Sequence, residues 1–282
     1  GRCWRLFVRL IGWRNKRNWL AMHRARKRFG QNFLQDPVII HAIVRLISPS
    51  PDMHVIEIGP GLGALTRPLL SNLTHLDLLE IDRDLVAYWN QKNLNGLRVI
   101  EGDALKFDFL GWAKTSSEKA SFCKVVGNLP YNISSPLLFH LISAAEHIHE
   151  QVFMLQAEVV ERMVAKAGSS DFSRLSVMLQ ARYDMELVLE VPPEAFDPQP
   201  KVDSAVVRMI PRKDFHLNHA QWKTLEQVVA AAFSQRRKIE NKNMSYLTSM
   251  GDAVVGFVCS LVIFLIAVTL FWYQRRVAVK TA

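Results

Sequence analysis

Short apolar runs alternate with stretches in which apolar residues recur at helical spacing, beginning at Asp36 and continuing through the first half of the chain. This alternation is typical of βαβ units that build a parallel sheet. Several runs end in glycine or in a polar residue, which is how strands that stop at a sheet edge often end. The predicted strands are residues 55–58, 76–81, 97–101, 124–126 and 152–155, and the predicted helices between them are residues 64–73, 85–93 and 135–148.

The pattern changes in the second half of the chain. A pair of helices within residues 157–182 comes first, and residues 186–191 and 204–210 follow as the arms of a hairpin joined by the proline-rich loop 192–200. One amphipathic helix, residues 220–238, comes next. We therefore predict an α/β fold, an open, doubly wound, Rossmann-like sheet with a terminal antiparallel hairpin, whose ligands lie at the carboxyl ends of the strands.

Residues 253–273 form an apolar stretch of 21 residues without a charge. As a helix this stretch would span about 31 Å, roughly the hydrocarbon thickness of a bilayer. Trp272 and Tyr273 would lie at one interface, with Arg275 and Arg276 beyond it. A buried core helix is the alternative, but core helices seldom run this far without a polar face. We predict a C-terminal transmembrane helix, and the nearly balanced flanking bases set no orientation.

Residues 1–21 form a basic amphipathic segment. The composition fits a transit peptide, a membrane-surface helix or upstream sequence that is not native coding, and Met22, just before the first enzyme-like segment, favours the last. The predicted divisions of the chain are a basic extension at 1–22, a main α/β domain at 23–212, a partial helical subdomain at 213–243 and the transmembrane helix at 253–273.

Composition and charge narrow the class of protein. The 282 residues are 49% hydrophobic, enough for a packed core, and their formal net charge is +9. Residues 1–35 carry ten Lys or Arg and no acid, whereas residues 36–198 are net acidic. An acidic body with basic flanks suggests a polyanionic partner approached from the flanks. The three cysteines are too far apart for a zinc clamp or a disulfide framework, so we expect no metal and a reducing compartment.

A glycine-rich segment, Glu57-Ile58-Gly59-Pro60-Gly61-Leu62-Gly63, spans the end of the first predicted strand and the turn after it. Glycines allow a tight turn and close approach of the backbone to a ligand, and the next helix offers its amino-terminal N–H groups. The spacing fits a dinucleotide or S-adenosylmethionine equally, and Glu80, which ends the second strand, could hold the ribose of either. A turn without a ligand is the remaining alternative.

Asp103 follows the third strand, where its carboxylate could accept a hydrogen bond from an adenine amino group. A lone aspartate after a strand is more often a turn or a helix cap. Its position adds weight, because Gly59, Glu80 and Asp103 stand at the ends of three successive strands and should line one pocket.

Residues 128–131, Asn-Leu-Pro-Tyr, follow the fourth strand and distinguish between the two candidate ligands, a dinucleotide and S-adenosylmethionine. The exocyclic amine of adenine is a poor nucleophile because its lone pair is delocalised into the ring. Asn128 and the carbonyl of Leu129 or Pro130 could accept both of its N–H bonds and free that lone pair, while Tyr131 stacks on an extruded base. No strong general base is then required. A simple Asn-x-Pro turn into a helix is the alternative.

These segments, in this order, resemble the bacterial small-subunit ribosomal RNA adenine N6-dimethyltransferases. Besides the glycine-rich segment and residues 128–131, the resemblance rests on Gln31-Asn32-Phe33-Leu34 and on residues 196–204, and it covers about residues 23–238. It implies a class I methyltransferase domain at 23–212 that moves methyl groups from S-adenosylmethionine to two adjacent adenosines near the 3′ end of small-subunit rRNA. It also implies a monomer that acts on an assembling ribosomal particle in the cytoplasm.

The resemblance carries site residues with it. The implied cofactor contacts are Asn32, Leu34, Gly59, Gly61, Gly63, Glu80, Asp103 and Asn128, and the implied base-holding residues are Asn128, Leu129, Pro130 and Tyr131. Phe196 either borders the base or packs under its loop. The candidates for RNA phosphate contacts are Arg26, Lys27, Arg28, Lys201, Arg236, Arg237 and Lys238, although runs of charge are often only a solvated face.

The chain departs from the family after residue 238, where we expect the compact helical docking subdomain to be cut short and replaced by residues 239–282. A non-catalytic, membrane-tethered RNA-binding or assembly factor is therefore an alternative to the enzyme. Methylation of adenine in DNA is a second alternative. An NAD-dependent oxidoreductase is a distant third, because no acid or base for hydride transfer is evident.

Overall fold

The computed structural model describes residues 31–118, 120–214 and 217–242. Its strands are β1 (Phe33–Leu34), β2 (Met53–Ile58), β3 (His75–Glu80), β4 (Leu97–Glu101), β5 (Phe122–Asn128), β6 (Glu150–Gln156), β7 (Tyr183–Val191), β8 (Phe196–Asp197) and β9 (Ser204–Pro211). Its α-helices are α1 (Pro37–Ile47), α2 (Thr66–Leu70), α3 (Arg83–Lys92), α4 (Phe109–Ser117), α5 (Ser134–Leu141), α6 (Ala157–Val164), α7 (Arg174–Arg182) and α8 (His219–Lys242). Short 3₁₀ segments cover Ile142–His147 and Pro193–Ala195.

Seven strands form one sheet in the order β4-β3-β2-β5-β6-β9-β7. Strands β2 to β6 are parallel, whereas β9 lies antiparallel between β6 and β7. The predicted doubly wound sheet with a terminal antiparallel hairpin is therefore confirmed. Its order reverses at β2, which pairs with β3 on one side and β5 on the other, and open α/β sheets bind ligands at such a switch point.

Helices cover both faces of the sheet and divide the core into two layers. Neighbouring strand residues belong to opposite layers: Val125 packs with α4, α5, α6 and α7, and Val126 packs with α1, α2 and α3. This division follows from the alternation of side chains along a strand. Because both faces are covered, β5 reads as an unbroken buried run between its exposed start at Phe122 and Asn128.

Two helices of the structure were not predicted from the sequence, and two predicted helices are shorter than expected. Helix α1 begins where the Asp36 carboxylate accepts the Val38 and Ile39 N–H groups at 2.7 and 3.2 Å, a typical amino-terminal cap. Helix α4 was also missed. Helix α2 keeps only five of the ten predicted residues because turns occupy the segment before it, and the helix from 135 tightens into a 3₁₀ segment after Leu141.

The last described element is α8, which contains the predicted helix 220–238. Its start packs beside α7, where Arg174 pairs with Glu226 at 3.1 Å and the rings of Phe172 and Phe233 lie 6.3 Å apart. No helix within the described ranges is long and apolar enough to cross a membrane. The predicted span at 253–273 and the predicted extension at 1–22 lie outside the described residues.

Candidate active site

A cavity of about 330 Å³ opens at the carboxyl ends of β2, β3, β4 and β5. This volume lies within the usual range for small-molecule sites, about 300–1,000 Å³. The structure thus brings together the strand ends that the sequence places along one sheet edge. The predicted residues that line the cavity are Asn32, Leu34, Gly59, Gly61, Glu80, Asp103, Asn128, Leu129, Pro130 and Tyr131.

The loop after β2 passes the cavity with its backbone in a left-handed conformation at Gly59, Gly61 and Gly63, where φ is 64°, 53° and 85°. A side chain at Gly63 has no room, because a Cβ there would lie 2.4 Å from the ring of Trp89. The same indole donates its Nε1 hydrogen to the Gly61 carbonyl at 3.0 Å. Gly63 does not line the cavity, so it serves the shape of the loop.

A strap of residues 31–35 supplies one wall of the cavity. Within it, β1 pairs antiparallel with β8, so that the strap is attached to the segment after the 3₁₀ turn. The N–H groups of Gln35 and Asp36 both donate to the carbonyl of Ala195, at 2.8 and 3.3 Å. These bonds fix the path of the backbone that carries Asn32 and Leu34.

The side chain of Asn128 has a defined orientation. Its Nδ2 donates to the backbone carbonyl of Asn32 at 3.0 Å, and a carbonyl can only accept, so the amide nitrogen must face the strap. The planar amide then turns Oδ1 the other way, where it can accept from a ligand. The Leu129 N–H donates to Met154 on β6 at 3.0 Å, and the Pro130 carbonyl accepts from Ile133 at 3.2 Å. The loop is therefore held by backbone bonds on both sides.

Glu80 ends β3 with a carboxyl group that is 5% exposed. Its Oε1 accepts the N–H groups of Ile81 and Asp82, both at 2.9 Å. Burial raises the pKa of Glu80, and these hydrogen bonds oppose that rise. Asp103 follows β4, and its Oδ1 accepts the Leu105 N–H at 2.9 Å, which is the turn that its sequence position suggests. Both carboxyl groups line the cavity, where they can accept hydrogen bonds from a ligand.

Glu57 is the third carboxyl group along the cavity, and it is 2% exposed. Burial raises its pKa to about 8; the hydroxyl of Thr66, which donates to Oε2 at 2.7 Å, opposes the rise, and the charge of Glu80 adds to it. With this pKa Glu57 is mostly protonated at neutral pH, so the negative potential of the cavity comes from the carboxylates of Glu80 and Asp103. The cavity is therefore suited to a ligand that carries positive charge.

Tyr131 stands at the rim of the cavity and is half-buried. Its hydroxyl lies 2.7 Å from the hydroxyl of Ser204 at the start of β9. Burial raises the pKa of Tyr131, so the phenol stays neutral at physiological pH.

The residues predicted to bind RNA are more dispersed. Phe196 is 3% exposed and packs in the core layer that contains Leu34 and Val191, so in this structure it lies under its loop and not along the cavity. The pairing of β1 with β8 accounts for this inward position, and a role for Phe196 beside the base stays a prediction. Lys201 is exposed. Arg236, Arg237 and Lys238 belong to α8, whereas Arg26, Lys27 and Arg28 lie outside the described residues.

Sequence reasoning missed three contributors to the site: Trp89, Ser204 and the role of Glu57 as a buried acid. Trp89 leaves a local signal, since Leu85, Val86 and Trp89 form the apolar face of α3. The bond between Tyr131 and Ser204 joins positions 73 residues apart, which no local pattern reveals.

Comparison with known proteins gives a consistent family. Residues 22–256 match the family described as ribosomal RNA adenine dimethylase. The chain is 56% identical over 237 residues to the ribosomal RNA small subunit methyltransferase A of Cupriavidus necator, covering 82% of this chain and 83% of that protein. It is 57% identical over 221 residues to the protein of the same name from Bordetella pertussis, covering 78% and 81%.

Two solved structures share the fold and part of the sequence. A dimethyladenosine transferase from Plasmodium falciparum superposes with a TM-score of 0.63 at 32% identity, covering 72% of this chain and 71% of that one. The 23S rRNA methyltransferase ErmE superposes with a TM-score of 0.59 at 29% identity, covering 72% of this chain and 79% of that one.

Proposed function

The chain belongs to the ribosomal RNA adenine dimethylase family, whose members are S-adenosylmethionine-dependent methyltransferases, and from this premise we propose its reaction. It transfers methyl groups from S-adenosylmethionine to N6 of two adjacent adenosines near the 3′ end of small-subunit rRNA. The substrate is an assembling ribosomal particle in the cytoplasm, and the enzyme acts as a monomer.

The cavity fits this cofactor in charge and in shape. S-adenosylmethionine supplies a methyl group on a positively charged sulfur, and the carboxylates of Glu80 and Asp103 give the cavity the opposite sign. Glu80 is suited to the ribose hydroxyls and Asp103 to the adenine amine. The backbone at Gly59 and Gly61 allows close approach, and the strap residues Asn32 and Leu34 cover the ligand. Gly63 supports this loop from behind, through its close packing on Trp89.

One observation carries the proposal: the Asn128 amide is bound through Nδ2 to the Asn32 carbonyl, which leaves Oδ1 as the acceptor. An amine that donates to Oδ1 and to the Leu129 carbonyl loses conjugation with its ring, and its lone pair becomes available to the methyl group. The carbonyl of Pro130 already accepts from Ile133. No strong base is required, because the alkylated amine releases its proton readily.

Tyr131 supplies a ring at the cavity rim on which an extruded adenine can stack. We assign phosphate contacts to Arg26, Lys27, Arg28, Lys201, Arg236, Arg237 and Lys238. Such contacts position the RNA without reading its bases, and they make binding depend on salt.

The proposal is tested with small ribosomal subunits that lack these methyl groups and with S-adenosylmethionine labelled on the methyl carbon. Label should appear in the rRNA, and mass spectrometry of nuclease fragments should locate dimethyladenosine at two adjacent positions near the 3′ end. Label on no RNA, or only elsewhere, contradicts the proposal. Equal competition by DNA would favour the alternative of DNA adenine methylation.

Asn128→Ala tests the chemistry of the site. It should reduce methyl transfer by more than a hundredfold while most of the calorimetric affinity for S-adenosylmethionine remains, because the lost acceptor acts mainly on the reacting amine. Asn90→Ala, on the exposed side of α3, is the matched control. Binding of particles without turnover by the wild-type chain would instead favour the non-catalytic assembly factor.

The sequence of residues 253–273 supports a further proposal, that the chain is tethered to a membrane. The support is the absence of charge over 21 residues and the aromatic pair at its end. Carbonate-washed membranes should retain the full chain and release a chain that ends at residue 252. Equal release of both contradicts the tether and leaves the methyltransferase proposal untouched.

A further inference from the structure

A hydrogen bond joins two segments that the sequence singles out separately. The hydroxyl of Tyr131, in the loop after β5, lies 2.7 Å from the hydroxyl of Ser204, which follows the proline-rich loop and opens β9. Tyr131 lines the cavity, so whatever sets the position of its ring also sets the place where a base would meet it.

Ser204 is a rigid partner. It is 1% exposed, and it lies in the sheet between two strands, opposite Gln156 on β6 and Val191 on β7. The carbonyl of Asp203, the preceding residue, accepts the N–H of Ala157 at 3.0 Å. The Ser204 hydroxyl therefore has a fixed position relative to the sheet, while its neighbours Lys201 and Val202 are exposed.

Tyr131 is also held at its backbone. The hydroxyl of Ser134, at the start of α5, donates to the Tyr131 carbonyl at 3.0 Å. With the backbone and the phenol oxygen both held, rotation about the Cα–Cβ bond would break a hydrogen bond, so the direction of the ring's long axis is set. A ring whose position is already set loses less conformational entropy when a base stacks on it.

We propose that Ser204 is a positioning residue for the methyl-transfer reaction, holding the Tyr131 ring at the place where it stacks on the extruded adenine. This inference rests on the proposed function, because it assigns the stacking surface of that same site. Ser204 does not touch the substrate. It acts through Tyr131, and its removal leaves the cofactor side of the cavity unchanged.

Four variants test the inference: Ser204→Ala, Tyr131→Phe, the double variant, and Ser116→Ala as a control for loss of a buried serine hydroxyl far from the cavity. Each is assayed for methyl transfer on undermethylated small subunits and for cofactor affinity by calorimetry. Tyr131→Phe keeps the ring and removes only the hydroxyl, so it separates orientation from stacking area.

Ser204→Ala and Tyr131→Phe should each lower kcat/KM about threefold to tenfold, the range expected for one neutral hydrogen bond. The double variant should be no more than about twofold worse than either single variant, because both remove the same bond. Cofactor affinity should stay within about twofold of wild type in every variant, and Ser204→Thr, which keeps the hydroxyl, should recover part of the activity.

Independent, multiplicative losses in the double variant would overturn the inference, as would wild-type kinetics of Ser204→Ala. If Ser204 had only a structural role, Ser204→Ala would lower kcat/KM whether or not Tyr131 carries its hydroxyl, and Tyr131→Phe alone would not show the same loss. Failure of the proposed function can be told apart from failure of this inference, because in the first case the wild-type chain itself would not methylate the subunit.

Discussion

Glu57 provides a direct test of the electrostatics of the cavity. Its carboxyl group is 2% exposed and its pKa is raised to about 8 by burial, with a further contribution from the charge of Glu80. In the unfolded chain the same group titrates near its ordinary value of 4.5. Between these two values the folded protein binds a proton that the unfolded chain has released, so stability falls as pH rises from 4.5 towards 8.

The size of the effect follows from the pKa difference. One pKa unit corresponds to about 1.4 kcal/mol, so the free energy of unfolding should lose roughly 4–5 kcal/mol over this window. Glu57→Gln removes the titration and keeps an oxygen that can accept from Thr66. The difference in free energy of unfolding, variant minus wild type, should therefore increase by about 1.4 kcal/mol for each pH unit between 5.5 and 7.5.

Urea unfolding of the cofactor-free protein, followed by circular dichroism at several pH values with a common m-value, measures this slope. Glu118→Gln, at an exposed position at the end of α4, controls for the loss of one surface carboxylate. Parallel pH profiles for Glu57→Gln and wild type would refute the reasoning, because they would mean that Glu57 ionises equally easily in both states.

Three further outcomes are expected. Gly63→Ala should lower the free energy of unfolding by about 2–5 kcal/mol in urea titration, because φ is left-handed there and the new Cβ would lie 2.4 Å from Trp89. Gly168→Ala is the control: φ is 92° and no atom lies within 4 Å of the new Cβ, so this variant measures the backbone strain alone. Asp77→Asn should lower the free energy of unfolding in urea titration at neutral pH, and lower it less in acid. Burial opposes the ionisation of Asp77, but hydrogen bonds from His54, Arg98 and Trp112 lower its pKa to about 2. The contribution of Asp77 to stability is therefore present above pH 3.8 and fades towards pH 2. Lys201→Glu should weaken binding to RNA at low salt and reduce the salt slope by about one, leaving cofactor affinity unchanged, as filter binding can show.

The strand ends of the site were predictable because each one leaves a local signal. Gly59, Glu80, Asp103 and Asn128 each follow an apolar run, and parallel strands bring their carboxyl ends to one edge. The sheet with its terminal hairpin followed from the same alternation of apolar and polar segments. These inferences need only periodicity and the fixed handedness of βαβ units.

Contacts between distant segments were not predictable in the same way. The pairing of β1 with β8 joins positions more than 160 residues apart through two residues on each side, which is too short for any pattern to show. That pairing buries Phe196, a position that composition alone does not reveal. Helix α1, by contrast, was missed although Asp36 and Pro37 form a recognisable start and its apolar residues recur at helical spacing.

The acceptor that orients Asn128 belongs to the backbone, not to a side chain. Every amino acid at position 32 provides the same carbonyl, so the route of the chain encodes this element of the site and the residue type does not. Substitutions at position 32 therefore leave the acceptor in place, whereas inserting or deleting one residue in the strap would move it. Length in this segment is under a constraint that a scan of point substitutions cannot detect.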